Sequence, residues 1–185
     1  MKRRGLLALG VAALLPHAVH AHASLGPIEP PLAAPTLPLT LHDGGVTDLP
    51  RWLKGRWSAL QVVFTGCSAT CPIQGAVFAA LQGKLAETLP QAQLLSVSID
   101  PLNDTAAALA AWRQRFGAQP LWLAAAPPVK HANVLLDFVD SRAAGGDRHT
   151  AQTLLFDDHG RFAYRCAEFA SARDIARLMR QMARR

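Results

Sequence analysis

Two cysteines, Cys67 and Cys71, stand four residues apart and run directly into Pro72, within the stretch Val62-Val63-Phe64-Thr65-Gly66-Cys67-Ser68-Ala69-Thr70-Cys71-Pro72-Ile73. Proline is favoured at the first position of a helix. Helical periodicity runs through residues 73–89, so a helix is expected to begin at Cys71 or Pro72. The β-branched apolar run from Ala59 to Thr65 reads as a buried strand. Both sulfurs would then sit where a strand ends and a helix starts. A helix N-terminus carries partial positive charge, which lowers a thiol pKa and supplies thiolate near neutral pH. A thiolate attacks disulfides and binds soft metals. A bridge across so small a loop constrains the unfolded chain little, so a purely stabilising disulfide is the weaker reading.

The rest of the chain must position that pair. At 185 residues, half of them hydrophobic, it is long enough for one domain with a real core, preceded by a leader. Lys2, Arg3 and Arg4, an apolar run from Gly5 to Leu15, and the small-x-small site Ala21-His22-Ala23 read as a signal peptide over residues 1–23. Cleavage after Ala21 is an alternative. That run is shorter than the 20 or so residues a membrane span needs, so export to the periplasm is expected, with no membrane attachment after cleavage. The leader takes three of the formal net charge of +6, leaving +3, much of it in the last helix at Arg173, Arg177, Arg180, Arg184 and Arg185. That pattern reads as a solvated helix face. No basic-aromatic patch or nucleic-acid module occurs, so nucleic acid is not an expected partner. The cysteine count is odd: Cys67 and Cys71 pair naturally, and Cys166 reads as a buried strand thiol.

Residues 24–38 hold five prolines and read as an extended linker or a surface arm. Leu37, Leu39 and Leu41 alternate with polar or proline positions before His42-Asp43-Gly44-Gly45, which suggests an N-terminal hairpin. Asp48 to Arg56 reads as a loop or short turn. After the cysteines come a helix with Val77, Phe78, Leu81, Leu85 and Leu89 on one face, and a strand from Gln93 to Ile99. Next are a turn at Asp100 with Asp104 as candidate N-cap, a helix from Thr105 to Phe116, a short strand at Leu121-Trp122-Leu123, and a helix near Val129 to Val139. A Gly-rich loop from Ala143 to Arg148 leads to His149, which opens a strand from Thr150 to Phe156. A turn at Asp157-Asp158-His159-Gly160 returns the chain through Arg161 to Cys166, and Ser171 caps a last helix. Met179 and Met182 there follow core spacing rather than a ligand pattern. The order βαβ…ββα is the plan of a thioredoxin-like α/β fold: a mixed central sheet flanked by helices, here with an N-terminal hairpin extension.

Three segments carry a family resemblance. They are VVFTGCSATCP (Val62 to Pro72), SVSIDPLNDTAAALAAWRQRFG (Ser96 to Gly117) and DRHTAQTLLFDDHGRF (Asp147 to Phe162). From about Leu39 to Met182 the chain resembles the Sco/SenC family, thioredoxin-fold proteins that bind copper and help assemble the copper centre of cytochrome c oxidase. The resemblance implies a thioredoxin-like Sco domain over residues 39–185. It implies Cys67, Cys71 and His149 as copper ligands, Cys67 and Cys71 also being a redox-active pair. Ser68-Ala69 stand where many members have Pro-Asp, and Thr150 where serine is frequent. Implied partners are a cytochrome c oxidase subunit or another periplasmic copper chaperone, together with a thiol reductant.

Chemistry agrees with that set. Cu(I) prefers thiolate sulfur, and imidazole suits copper in both oxidation states. His149 lies 78 residues past Cys71 and must be delivered by the fold. No proline occurs after Pro128, so the cis-proline usual beside thioredoxin cysteines is missing, which suits a metal site better than an exchange groove. Asp100 and Asp104 are read as a turn residue and a helix cap. His131 and His159 are read as surface and turn residues. A copper-binding protein that receives and delivers copper is the first reading. A thiol-disulfide oxidoreductase acting on an oxidase subunit or copper donor is the alternative, with Cys67 as nucleophile and Cys71 as resolving thiol. A copper or redox sensor is a third. A peroxidase lacks its TxxC context.

Overall fold

The computed structural model describes residues 25–138 and 150–184. The leader, the loop from Ala143 to Arg148 and His149 lie outside them.

Strand β4 (Trp57–Val63) runs through the middle of an eight-stranded mixed sheet and is buried along nearly its whole length. Its apolar, β-branched run tolerates cover on both faces. Strands β5 (Ala92–Ser98) and β6 (Trp122–Ala126) follow in parallel on one side. On the other side β7 (Gln152–Phe156) pairs antiparallel with β4, and β8 (Arg161–Glu168) antiparallel with β7. The β4-to-β5 and β5-to-β6 crossovers carry helices α2 (Thr70–Thr88) and α3 (Ala106–Arg115). With α5 (Ala172–Met182) these cover one face, where Phe78, Leu81, Leu85, Trp112, Ile175 and Met179 are buried against Ala59, Leu94 and Trp122. The other face is closed by α1 (Leu49–Leu53) and α4 (Val134–Phe138) over Leu60, Val62, Leu95 and Leu154. This is the expected thioredoxin-like α/β plan. Among the described residues no helix is long and apolar enough to cross a membrane.

The N-terminal hairpin is present as β2 (Pro38–Leu41) and β3 (Val46–Asp48), joined to the sheet through β6. Asp43 Oδ1 accepts from Gly45 N–H at 2.9 Å, and Gly44 takes a positive φ of 86° in its turn. The Pro-rich stretch contributes β1 (Gly26–Ala33), which pairs antiparallel with β8 through a register shift between Pro27 and Leu32. Proline lacks an N–H and is confined to sheet edges and bulges, and β1 is an edge. Two expectations are corrected. The stretch from Asp48, read as a loop or short turn, contains α1: Asp48 Oδ1 accepts from Arg51 N–H at 3.0 Å, and Pro50 lies in the first turn. Asp104 is not the cap of α3. Thr105 caps it, its hydroxyl accepting from Ala108 N–H at 3.2 Å. The cap at Ser171 is as read.

Helix α2 meets α3 closely at Gly75, where an added Cβ would come within 2.6 Å of the Phe116 ring. That ring is braced by Trp112 and Trp122 at 5.1 and 6.4 Å between centroids. Gly75→Ala would gain up to about 1 kcal/mol of helix propensity but overpack this contact, which costs about 1–3 kcal/mol. Net destabilisation is expected in urea unfolding. Pairing it with Phe116→Leu should recover most of the loss.

Candidate functional site

The cysteines sit as their spacing predicts, at the tip of α2 just past the end of β4. Cys67 lies in the connecting turn, its N–H donating to Phe64 C=O at 3.1 Å. Cys71 lies in the first turn of α2. No side chain of Ala69 caps this helix; instead the Cys71 backbone N–H donates to Cys67 Sγ at 3.4 Å. The Thr70 hydroxyl stands 3.9 Å from the same sulfur. One of the four unpaired amides that open any helix is therefore spent on a sulfur. Cys67 is 8 % exposed and Cys71 only 1 %.

The two thiols differ in acidity. Burial alone would push Cys67 up, but hydrogen bonds from the backbone of Cys71 and Ala69 and from the Cys71 and Thr70 side chains outweigh it, so its pKa is lowered. Cys71 is pushed up to about 12, first by burial and then by its bond to Cys67 and the negative charges of Cys67 and Asp104, against a backbone hydrogen bond at Phe64. Cys166, in the same apolar cluster, is also pushed up to about 12, by burial and then by Asp174, as suits a buried thiol. A thiol whose pKa is raised on folding holds its proton in the native state after the unfolded chain has lost it. The unfolded state then binds fewer protons, and stability falls as pH rises. The reduced protein should thus lose stability from about pH 9 toward 12. A urea titration at stepped pH checks this, and Cys166→Ala should flatten part of the slope.

Asp104 has a role the sequence reading did not find. It is 2 % exposed, and its carboxylate accepts from Thr65 N–H at 3.1 Å, Thr65 Oγ1 at 2.6 Å and Ser98 Oγ at 2.6 Å. Ser98 Oγ in turn accepts from Asp100 N–H at 2.9 Å. One carboxylate therefore locks the turn before Cys67 to the end of β5. Asp100 is the turn residue expected, its carbonyl accepting from the N–H groups of Asn103 and Asp104 and its carboxylate from Asn103 Nδ2.

Gln74, one turn past Cys71 on α2, is buried, and its Nε2 donates to Thr150 C=O at 3.1 Å. That bond ties the cysteine helix to a segment 76 residues away. His149 lies outside the described residues. His131 closes a short 3-10 turn (Val129–His131) and His159 lies exposed in the β7–β8 turn, 3.9 Å from Asp158. Among the described residues no group of three or more His, Cys, Asp or Glu side chains could hold a metal. The cysteine pair supplies two soft donors, which fits Cu(I).

A family model described as SCO1/SenC matches residues 37–184. No curated protein sequence matches the chain. Among solved structures, a SCO1/SenC family lipoprotein from Bacillus anthracis is similar at 24 % identity with a TM-score of 0.73, covering 85 % of this chain and 97 % of that one. ScoI from Arabidopsis thaliana, solved with copper bound, is similar at 17 % identity and a TM-score of 0.71, over 82 % of this chain and 98 % of that one. BsSco, a member of the Sco family of cytochrome c oxidase assembly proteins in which a disulfide switch was identified, is similar at 19 % identity and a TM-score of 0.71, over 84 % and 95 %. At these identities the structures establish the fold.

Proposed function

The chain belongs to the SCO1/SenC family, and from that premise we propose that it is a periplasmic copper-binding protein that delivers copper for cytochrome c oxidase assembly. In this reading Cys67, Cys71 and His149 hold the ion, and copper is cargo, received from one protein and released to another. The observation that supports it best is the Gln74 to Thr150 hydrogen bond at 3.1 Å. It holds the chain, one residue after His149, against the helix that carries Cys71, and consecutive Cα atoms are only 3.8 Å apart.

The residues contribute as follows. Cys67 is the more acidic of the two thiols and the readier to give up its proton to copper. Cys71 must give up its proton on loading, so copper binding releases a proton and strengthens as pH rises. The helix tip favours the negative charge that two thiolates bring. An oxidised pair cannot load, so a thiol reductant would gate the site. Competition with a Cu(I) chelator on reduced protein tests the proposal. One ion bound tightly per chain is expected, and no binding would refute it.

The unequal thiols also favour a second reading, thiol-disulfide exchange. Cys67 thiolate would attack a substrate disulfide and expel one substrate thiolate. Cys71 would then lose its proton, attack Cys67 Sγ and release the second. Turnover of a disulfide substrate by reduced protein, undiminished by His149→Ala, would favour this reading over copper delivery.

A further inference from the structure

Seven large apolar side chains are exposed among the described residues, and five of them stand at the end of the sheet that carries the cysteines, Leu25 beside the edge strand β1 and four others. Ile73 is in the first turn of α2, Leu102 follows β5, and Val129 follows β6, both strands running parallel to β4. Phe169 follows β8, which two antiparallel steps from β4 bring out at the same end.

Hydrogen bonds tie two of these residues, Leu102 and Phe169, to the segments beside the sulfurs. Asp104 binds the turn bearing Leu102 to the Cys67 loop. Phe169 N–H donates to Ala151 C=O at 3.1 Å, next to the Thr150 that Gln74 holds. Phe169 is also the one described non-glycine residue with positive φ, at 53°, and the residue is 47 % exposed. That conformation suits glycine or asparagine and is disfavoured for a bulky side chain. A ring so placed adds little to the core, yet it faces solvent beside the site.

Charge selects the kind of partner. No charged side chain occurs in residues 64–73, and the charged residues beside the rim, Asp100, Lys130 and Glu168, are of mixed sign, while exposed Arg173 and Arg177 lie along α5. An acidic surface is drawn to α5, and the face around the sulfurs favours an uncharged, apolar one. The cysteines are too buried to be reached without contact with this face.

We infer that Ile73, Leu102, Val129 and Phe169 form an apolar rim on which the protein exchanging copper with Cys67 and Cys71 docks, and that this partner carries its donor thiols in an uncharged apolar segment. The inference rests on the copper-delivery reading. In the exchange the bonds from copper to the sulfurs of Cys67 and Cys71 and to the imidazole of His149 break as two bonds to partner sulfur form. The protons that the partner thiols give up pass to the freed cysteine sulfurs or to water, and copper stays Cu(I) throughout.

The probes are two synthetic peptides sharing a Cys-Gly-Ser-Gly-Cys centre, one flanked by Leu and Val, the other by Glu and Ser. Stopped-flow transfer of Cu(I) from the loaded full chain should be about tenfold faster to the apolar peptide. The triple variant Ile73→Gln, Leu102→Gln, Phe169→Asn should erase that preference with Cu(I) affinity unchanged. Phe169→Asn alone should erase part of it while melting at or above the wild-type temperature, since asparagine relieves the backbone. Equal rates to both peptides from loaded wild type, or a preference surviving in the triple variant, would overturn the rim and leave copper delivery standing. Wild type that takes up no Cu(I) would overturn both. A wild-type dimer in sedimentation that the triple variant loses would overturn the partner assignment, the rim then being a contact between copies of this chain.

Discussion

Cys67→Ser is expected to lower Cu(I) affinity by more than about a hundredfold, because even loss of a residue that merely supports a ligand costs about 10–100-fold and this change removes a donor outright. The hydroxyl that replaces the sulfur is a hard donor that does not ionise near neutral pH and suits Cu(I) poorly. Cys71→Ser should do the same. His149→Ala should weaken binding less, since two sulfurs remain, but should alter the Cu(II) spectrum strongly. Folding should survive the Cys67 change, as this residue lies in a turn and its sulfur caps α2 with one 3.4 Å contact. A chelator competition beside a thermal melt separates the effects: affinity collapses and the melt moves little.

Asp104→Ala is expected to be the most damaging single change to the fold around the site. It strands Ser98 Oγ in a buried position and Thr65 N–H and Oγ1 in a half-buried one. Each unsatisfied buried group costs about 1–3 kcal/mol, so a loss of about 3 kcal/mol is expected. For a chain of this size that lowers the melting temperature by about 6–12 °C. The turn before Cys67 loses its anchor as well, so copper affinity should fall about 10–100-fold. Asp104→Asn keeps an acceptor and should cost less stability. It also removes a negative charge that helps hold the Cys71 proton, so Cys71 should ionise at lower pH. Denaturant unfolding and a thiolate absorbance titration at about 240 nm measure the two parts.

The two variants bear on what could be read from the residues alone. The β4 to α2 unit was legible because its signals are local: a β-branched run, two cysteines, and a proline at a helix start. The α2 face was legible at Phe78, Leu81 and Leu85. It was not at Gln74, Gly75 and Gln82, which are buried on the same helix. Their reasons lie elsewhere in the chain: Thr150 for Gln74, the Phe116 ring for Gly75, and Gly117 C=O with Gln119 N–H for Gln82. Asp104 reads as a cap because its neighbours look like a helix start. Its partner Thr65 is 39 residues away, and no local pattern announces such a bond. Helix α1 could have been found from Asp48 and Pro50, a cap residue followed by a helix-opening proline. The pairing of β1 with β8 could not, because an edge strand takes its register from a partner formed more than a hundred residues later.

The central claim is that two sulfurs of one helix tip and the imidazole of His149 share one copper ion. X-ray absorption at the copper edge, on reduced protein loaded with one Cu(I), tests it most directly. The account predicts two sulfur scatterers and one nitrogen, with the nitrogen lost in His149→Ala and a sulfur lost in Cys67→Ser. A shell of sulfur with no nitrogen, identical in wild type and His149→Ala, would contradict it.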